Sequence, residues 1–227
     1  MITAFAKAGL IFDDEDYAYL NLDALPPRNE NPDFLDDAYH LVNTYGEDII
    51  NTLDFLEELN EDSTSIFHEH LNLDKIGLLG HTTGGGAGVN VALRDDRVKA
   101  VFGLDSWVEP IGLTDLSAGL SVPSEFLQSG NWETGENNQY LYTVIENSTY
   151  PSELYQIDGT THYDFAMVYM YSPLTKYIGF TGSVESEDLT IILKDVISDF
   201  FDHTLKEDTT PQIDPTIYEG VEEVIIE

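Results

Sequence analysis

The chain has 227 residues, an ordinary apolar and aromatic content, and no cysteine. That length suits one α/β domain with a sizeable core, and the composition argues against wholesale disorder. With 43 acidic residues against 9 basic ones and a net charge of −34, the surface repels nucleic acid and anionic membrane; the missing cysteines exclude disulfides, thiolate metal sites and thiol catalysis.

The acid excess reads as adaptation to a salty medium or as solubilising charge, with cation binding as the alternative. No apolar run reaches the roughly 18–20 residues of a membrane span. Met1 is not followed by a signal-type region, so a chain complete at Met1 is expected in the cytoplasm. Residues 1–9 read as the end of a helix stopped at Gly9. GLIF suits a short strand, DDED a solvated turn, and the alternation in YAYLNLDAL a strand at 17–23. The full spacing of a calcium loop is absent from DDED. Residues 24–32 form a loop, and Asn31-Pro32 suits a helix start. Apolar positions from Phe34 to Leu59 recur at helical spacing, so 33–59 is the longest amphipathic stretch, with a bend expected at Gly46. His68-Glu69-His70 in the following polar connection has no third ligand nearby and reads as solvated; no metal and no cofactor is expected.

A short apolar strand from Ile76 runs into Gly80-His81-Thr82-Thr83-Gly84 and then a small-residue helix at 83–93. This is the outline of a G-x-S-x-G elbow, in which a sharp strand-to-helix turn lifts a hydroxyl above a sheet. Thr82 stands where serine is expected. Strands follow at 98–104, about 124–129 and 152–157, with a helix at 136–146 between the last two. Helices are expected again at 163–171 and 187–205. Residues 1–206 form the domain, and 207–227 an acidic tail ending in the apolar VEEVII.

Alternating strands and helices imply a mostly parallel sheet with helices on both faces, whose site lies at the carboxyl ends of the strands. Thr82, Asp105 and His162 each follow directly after a predicted strand. Ester hydrolysis needs a nucleophile, a base and a group that orients the base, and the order hydroxyl, acid, histidine is that of α/β-hydrolases. Thr83, at the helix start, offers a backbone N–H to an oxyanion. Trp107 and Phe165 flank the acid and the histidine and suit either an acyl pocket or the core. His40, His81 and His203 read as structural or exposed. The alternative of a phosphate-cradling loop is disfavoured, since G-x-x-x-x-G-K-[ST] is absent and the net charge opposes it.

Three segments, DKIGLLGHTTGGGAG, VFGLDSWVEPIG and IDGTTHYDF, together with the later GFTGSVESEDLTIILKDVISDFFDHTLK, carry a resemblance to platelet-activating-factor acetylhydrolases of the plasma, lipoprotein-associated type and their bacterial relatives. It spans roughly residues 33–206. The resemblance implies an α/β-hydrolase fold and a calcium-independent esterase that removes short or oxidised acyl chains from phospholipids or other small esters. By the same resemblance Thr82 takes the nucleophile's place, Asp105 the acid's, His162 the base's, and Thr83 that of one oxyanion donor. The chain departs from the pattern twice. Threonine replaces serine, and a β-branched residue fits poorly in an elbow, which lowers the expected activity. The family's N-terminal strands, and the loop that supplies a second oxyanion N–H, are not visible. The chain then reads as either a fragment or a shortened form whose 17–23 strand pairs directly with 76–80. The competing functional class is a non-catalytic hydrolase-like binding protein.

Overall fold

The computed structural model describes residues 10–12, 18–20, 27–132, 136–172, 174–206 and 209–226. The helix end expected at 1–9 and the DDED turn at 13–16 lie outside these. Strands β1 (Leu10–Phe12) and β2 (Ala18–Leu20) form an antiparallel pair of their own. Helix α1 (Phe34–Glu61) follows, then β3 (Ile76–His81), α2 (Thr83–Ala92), β4 (Val98–Leu104) and the one-turn α3 (Leu113–Leu116). Next come β5 (Ser124–Ser129), α4 (Asn137–Asn147), β6 (Ser152–Ile157) and the short α5 (His162–Phe165). The chain closes with α6 (Ser186–Lys206) and β7 (Val221–Glu223).

The main sheet runs β3-β4-β5-β6-β7, parallel except for β7. Helices cover both faces of its middle strands, so apolar side chains point to both. Val101, Phe126 and Leu154 point into one core with Val42 of α1, Ala87 and Val91 of α2 and Leu141 of α4. Their neighbours Phe102, Leu127 and Tyr155 point the other way, onto Leu189, Leu193, Val196 and Phe200 of α6. The switch of face between adjacent residues is the period-2 geometry of a strand.

Helix α1 runs unbroken through Gly46, where a side chain would press on Arg94 and Asn90; the glycine lets α1 lie close to α2. Three features differ from the sequence-based expectation. The 163–171 helix is instead α5 and a 3-10 turn at Val168–Met170, parted by Met167 in the left-handed region at φ 56°. The segment expected as a tail carries a 3-10 turn (Pro215–Ile217) and then β7, which pairs with β6 and buries Val221 in the α6-side core. Finally, β2 pairs with β1 rather than β3, and the outer edge of β3 has no partner among the described residues. Leu79 on that strand is 46% exposed.

Candidate active site

The carboxyl ends of β3 to β6 place the three candidate residues along one edge of the sheet. Parallel pairing sets His81 opposite Leu104, and the ladder carries on past both strands: Thr82 N–H donates to Leu104 C=O at 3.0 Å, and Asp105 N–H to Leu127 C=O at 2.9 Å. Thr82 and Asp105 therefore leave adjacent strands at the same level. Thr82 sits at φ 51°, ψ −118° and Asp105 at φ 43°. Both are positive-φ conformations that a residue with a Cβ rarely adopts, and for β-branched Thr82 the strain is greater still. Threonine thus occupies the sharp turn that the elbow motif predicts.

Local sequence explains how the turn closes. A Cβ on Gly80 would collide with the Gly84 carbonyl, and one on Gly86 with the Trp107 carbonyl. Bare backbone at these positions lets α2 start directly over β3 and lie against the loop after β4. Gly84 itself has open space around it, so it is not needed for that approach. The Thr82 carbonyl accepts from Gly86 N–H at 3.0 Å and Trp107 N–H at 3.1 Å, which ties the elbow to the acid loop. Thr83 is the first residue of α2, and its N–H is among those a helix leaves without an intrahelical partner.

Asp105 is fully buried. One carboxylate oxygen accepts from Ser129 N–H at 2.7 Å. The other accepts from Ser129 Oγ at 2.7 Å and from His162 Nδ1 at 2.9 Å. That last bond puts the proton on Nδ1 and leaves Nε2 with a lone pair. His162 is held on its faces as well: the Trp132 ring stacks on it at 4.4 Å and 12°, and the His81 ring lies 4.3 Å away, tilted by 37°. Its own N–H donates to Asn131 Oδ1 at 3.1 Å.

The histidine loop owes its shape to its threonines and aspartate. Thr160 Oγ1 donates to Ile157 C=O at 2.6 Å and accepts from Gly130 N–H. Buried Asp164 accepts from Thr161 N–H at 2.7 Å and from Gly182 N–H at 2.8 Å, pinning the loop to the turn before α6. On the other side, fully buried Asn137 organises the stretch after Asp105. Its Oδ1 accepts from Val108 N–H and Glu109 N–H, and its Nδ2 donates to Ser106 C=O. Buried Glu109 is met by a two-pronged contact from Arg28.

The structure therefore joins Asp105 and His162 directly and sets Thr82 at the end of the strand next to that of Asp105, with no hydrogen bond from its hydroxyl to His162. Trp107 stands against Phe34, its Nε1 3.4 Å from Glu109 Oε2. Phe165 is 4% exposed within the α6-side core, its ring nearly perpendicular to that of His81. Sequence reasoning missed Ser129, Asn131, Trp132 and His81. Ser129 to Trp132 directly follow β5, so the strand-end rule that picked out the triad, applied to that strand too, finds them. Burial holds His81 down at a pKa of about 4, with the neighbouring His162 acting in the same direction and Asp105 against it; His81 is neutral at neutral pH.

Among the chains of solved structures that match is a ferulic acid esterase from Streptomyces cinnamoneus, with a TM-score of 0.66 and 16% identity. The match covers 95% of this chain, which spans 62% of the length of that one. At that identity the likeness shows the fold, an α/β-hydrolase fold. Comparison with curated proteins finds no match. The family described as platelet-activating factor acetylhydrolase, isoform II, matches residues 42–222. That span takes in β3 to β6 with Thr82, Asp105 and His162, and the chain belongs to this family.

Proposed function

We propose that the protein is a carboxylic ester hydrolase acting on short-chain acyl esters or phospholipid acyl groups, with Thr82 as nucleophile. The observation that carries this reading is the bond from His162 to buried Asp105 beside an elbow that holds Thr82 at φ 51°. In the proposed reaction His162 Nε2 takes the Thr82 hydroxyl proton as Oγ1 attacks the ester carbonyl. Asp105 keeps the ring in the required tautomer and stabilises the imidazolium. Thr83 N–H faces the developing oxyanion. The tetrahedral adduct collapses as the C–O bond to the alcohol breaks, and His162 returns its proton to that oxygen. Water, deprotonated by His162, then attacks the acyl-threonine; the acid leaves and the hydroxyl is restored. Membership of an acetylhydrolase family supports the same reaction class.

The threonine methyl favours a second reading, in which the fold is kept for binding and catalysis is weak. It restricts the hydroxyl rotamer and crowds the incoming carbonyl. The two readings part in one experiment on p-nitrophenyl acetate hydrolysis and fluorophosphonate labelling. Under the first, the wild type turns over, labels at Thr82, and Thr82→Ser raises kcat/KM by about 10²-fold, or ~2.7 kcal/mol of barrier. A Thr82→Ser protein that neither labels nor hydrolyses faster would leave the binding reading.

A further inference from the structure

His81 is not used in the proposed reaction, yet it lies against the base. We propose that His81, Asp105 and His162 form a site for a zinc-like divalent transition-metal ion, and that its occupancy turns the base off. This inference concerns regulation of the proposed active site and rests on that reading for its functional consequence, though not for the binding itself.

The geometry comes first. One ligand atom from each of the three residues lies within 4.8 Å of the other two, and this is the one such group among the described residues. Ligands of one zinc ion, at about 2.0–2.2 Å from it, stand roughly 3–3.5 Å apart. The pair His162 Nδ1 and Asp105 Oδ2 is already at 2.9 Å, so closure needs side-chain movements on the order of 1–2 Å. The second observation is an unpartnered ring nitrogen. His81 Nε2 is buried and has no hydrogen-bond partner. A buried polar atom left unpaired is costly, and coordination would relieve it.

Chemistry selects the ion. Two imidazoles and one carboxylate suit zinc or copper, and suit calcium and magnesium poorly, since those prefer oxygen ligands. With three protein ligands a fourth position stays open, as in zinc sites that exchange water. The chain has no cysteine to compete for the ion, and its net charge of −34 raises the local cation concentration. Whichever nitrogen of His162 coordinates, base function is lost. Coordination through Nε2 takes the lone pair that would accept the Thr82 proton. Coordination through Nδ1 moves the ring proton to Nε2, with the same result.

The test uses the full chain, zinc chloride and no substrate. Calorimetry at about 0.15 M salt, which screens weak surface binding, is expected to show one saturable site. His81→Gln and, separately, His162→Asn are each expected to weaken it by at least about tenfold, with circular dichroism checking that each variant is folded. Copper(II) bound in place of zinc is expected to show two imidazole nitrogens by electron paramagnetic resonance, and one in His81→Gln. Equal zinc affinity in the wild type and both variants, or a copper spectrum without nitrogen coupling, overturns the site. If one variant fails to fold, the other decides. A protein that binds zinc here but hydrolyses no ester even when metal-free overturns the proposed function and leaves the site standing; one that hydrolyses ester when metal-free and keeps that rate at saturating zinc overturns the regulatory site alone.

Discussion

Glu125 is a carboxyl that the chain could have replaced with an apolar residue and did not. It lies on β5, 2% exposed, on the face covered by α6, and its Oε1 has no hydrogen-bond partner. Burial, together with Glu153 on the neighbouring strand and Asp199 on α6, pushes its pKa up to about 8 from the ordinary 4.5. Folded Glu125 keeps its proton while the unfolded chain has lost it. Stability from this group is therefore full below pH 4.5 and is lost as pH rises to about 8. Glu125→Gln is expected to abolish that slope and to be the more stable protein at pH 8, by at least ~1 kcal/mol in urea unfolding, with little difference near pH 4. A variant that follows the wild-type pH profile would show that Glu125 ionises in the folded protein. Residues of this kind are hard to read in a sequence: SEFLQS shows a polar residue in a strand, and only packing reveals what covers it. Asp105 and His162 were legible because chemistry demands their residue types at strand ends. His81 was not, because stacking on an imidazole leaves no spacing signature; Trp132 lay within reach of the strand-end rule, but its stacking did not.

At the scale of elements, the parallel strands were legible to within a residue or two because β3 and β4 are apolar runs bounded by turn residues, and β5 and β6 are short segments with apolar centres that each follow a proline. What tertiary contacts decide was not. Met167 breaks a helical pattern by turning to φ 56°, and β7 joins the sheet although the acidic residues around it read as solvated tail. Helix α4 shows how one element can shape another's loop. Its first residue, Asn137, fills the donor and acceptor positions of residues 106, 108 and 109, immediately after the acid. Asn137→Ala would leave buried polar groups orphaned, each costing about 1–3 kcal/mol. The expected result is a clear fall in melting temperature. A fall in ester hydrolysis is expected beyond it, measured well below the melting point, because the loop sets Asp105. Unchanged stability would mean that water or a shifted backbone replaces the amide.

Across the whole molecule, charge dominates. Arg97 illustrates how the few cations are used: it bridges Asp54 and Glu57 of α1 to Asp95 after α2. The acidic partners raise its pKa, chiefly Asp95 through hydrogen bonds. Arg28, Arg94, Lys176 and Lys206 are likewise each paired with a carboxylate. Such pairs add little singly at the surface, and they cannot offset a net charge of −34. Repulsion among the remaining carboxylates works against the compact state over distances longer than a bond. Added salt shortens the range of that repulsion from about 30 Å at 0.01 M to about 3 Å at 1 M, so it weakens repulsion among exposed groups while sparing the buried Asp105–His162 contact. The melting temperature is therefore expected to rise steeply with potassium chloride up to molar concentrations, and the rise should flatten once the screening length falls below the spacing of surface carboxylates. Potassium chloride and tetramethylammonium chloride should act alike if screening is the cause, whereas a gain specific to one cation would point to site binding. Equal stability at low and molar salt would show that the acidic surface does not strain the fold, and would remove the reading of the composition as adaptation to a salty medium.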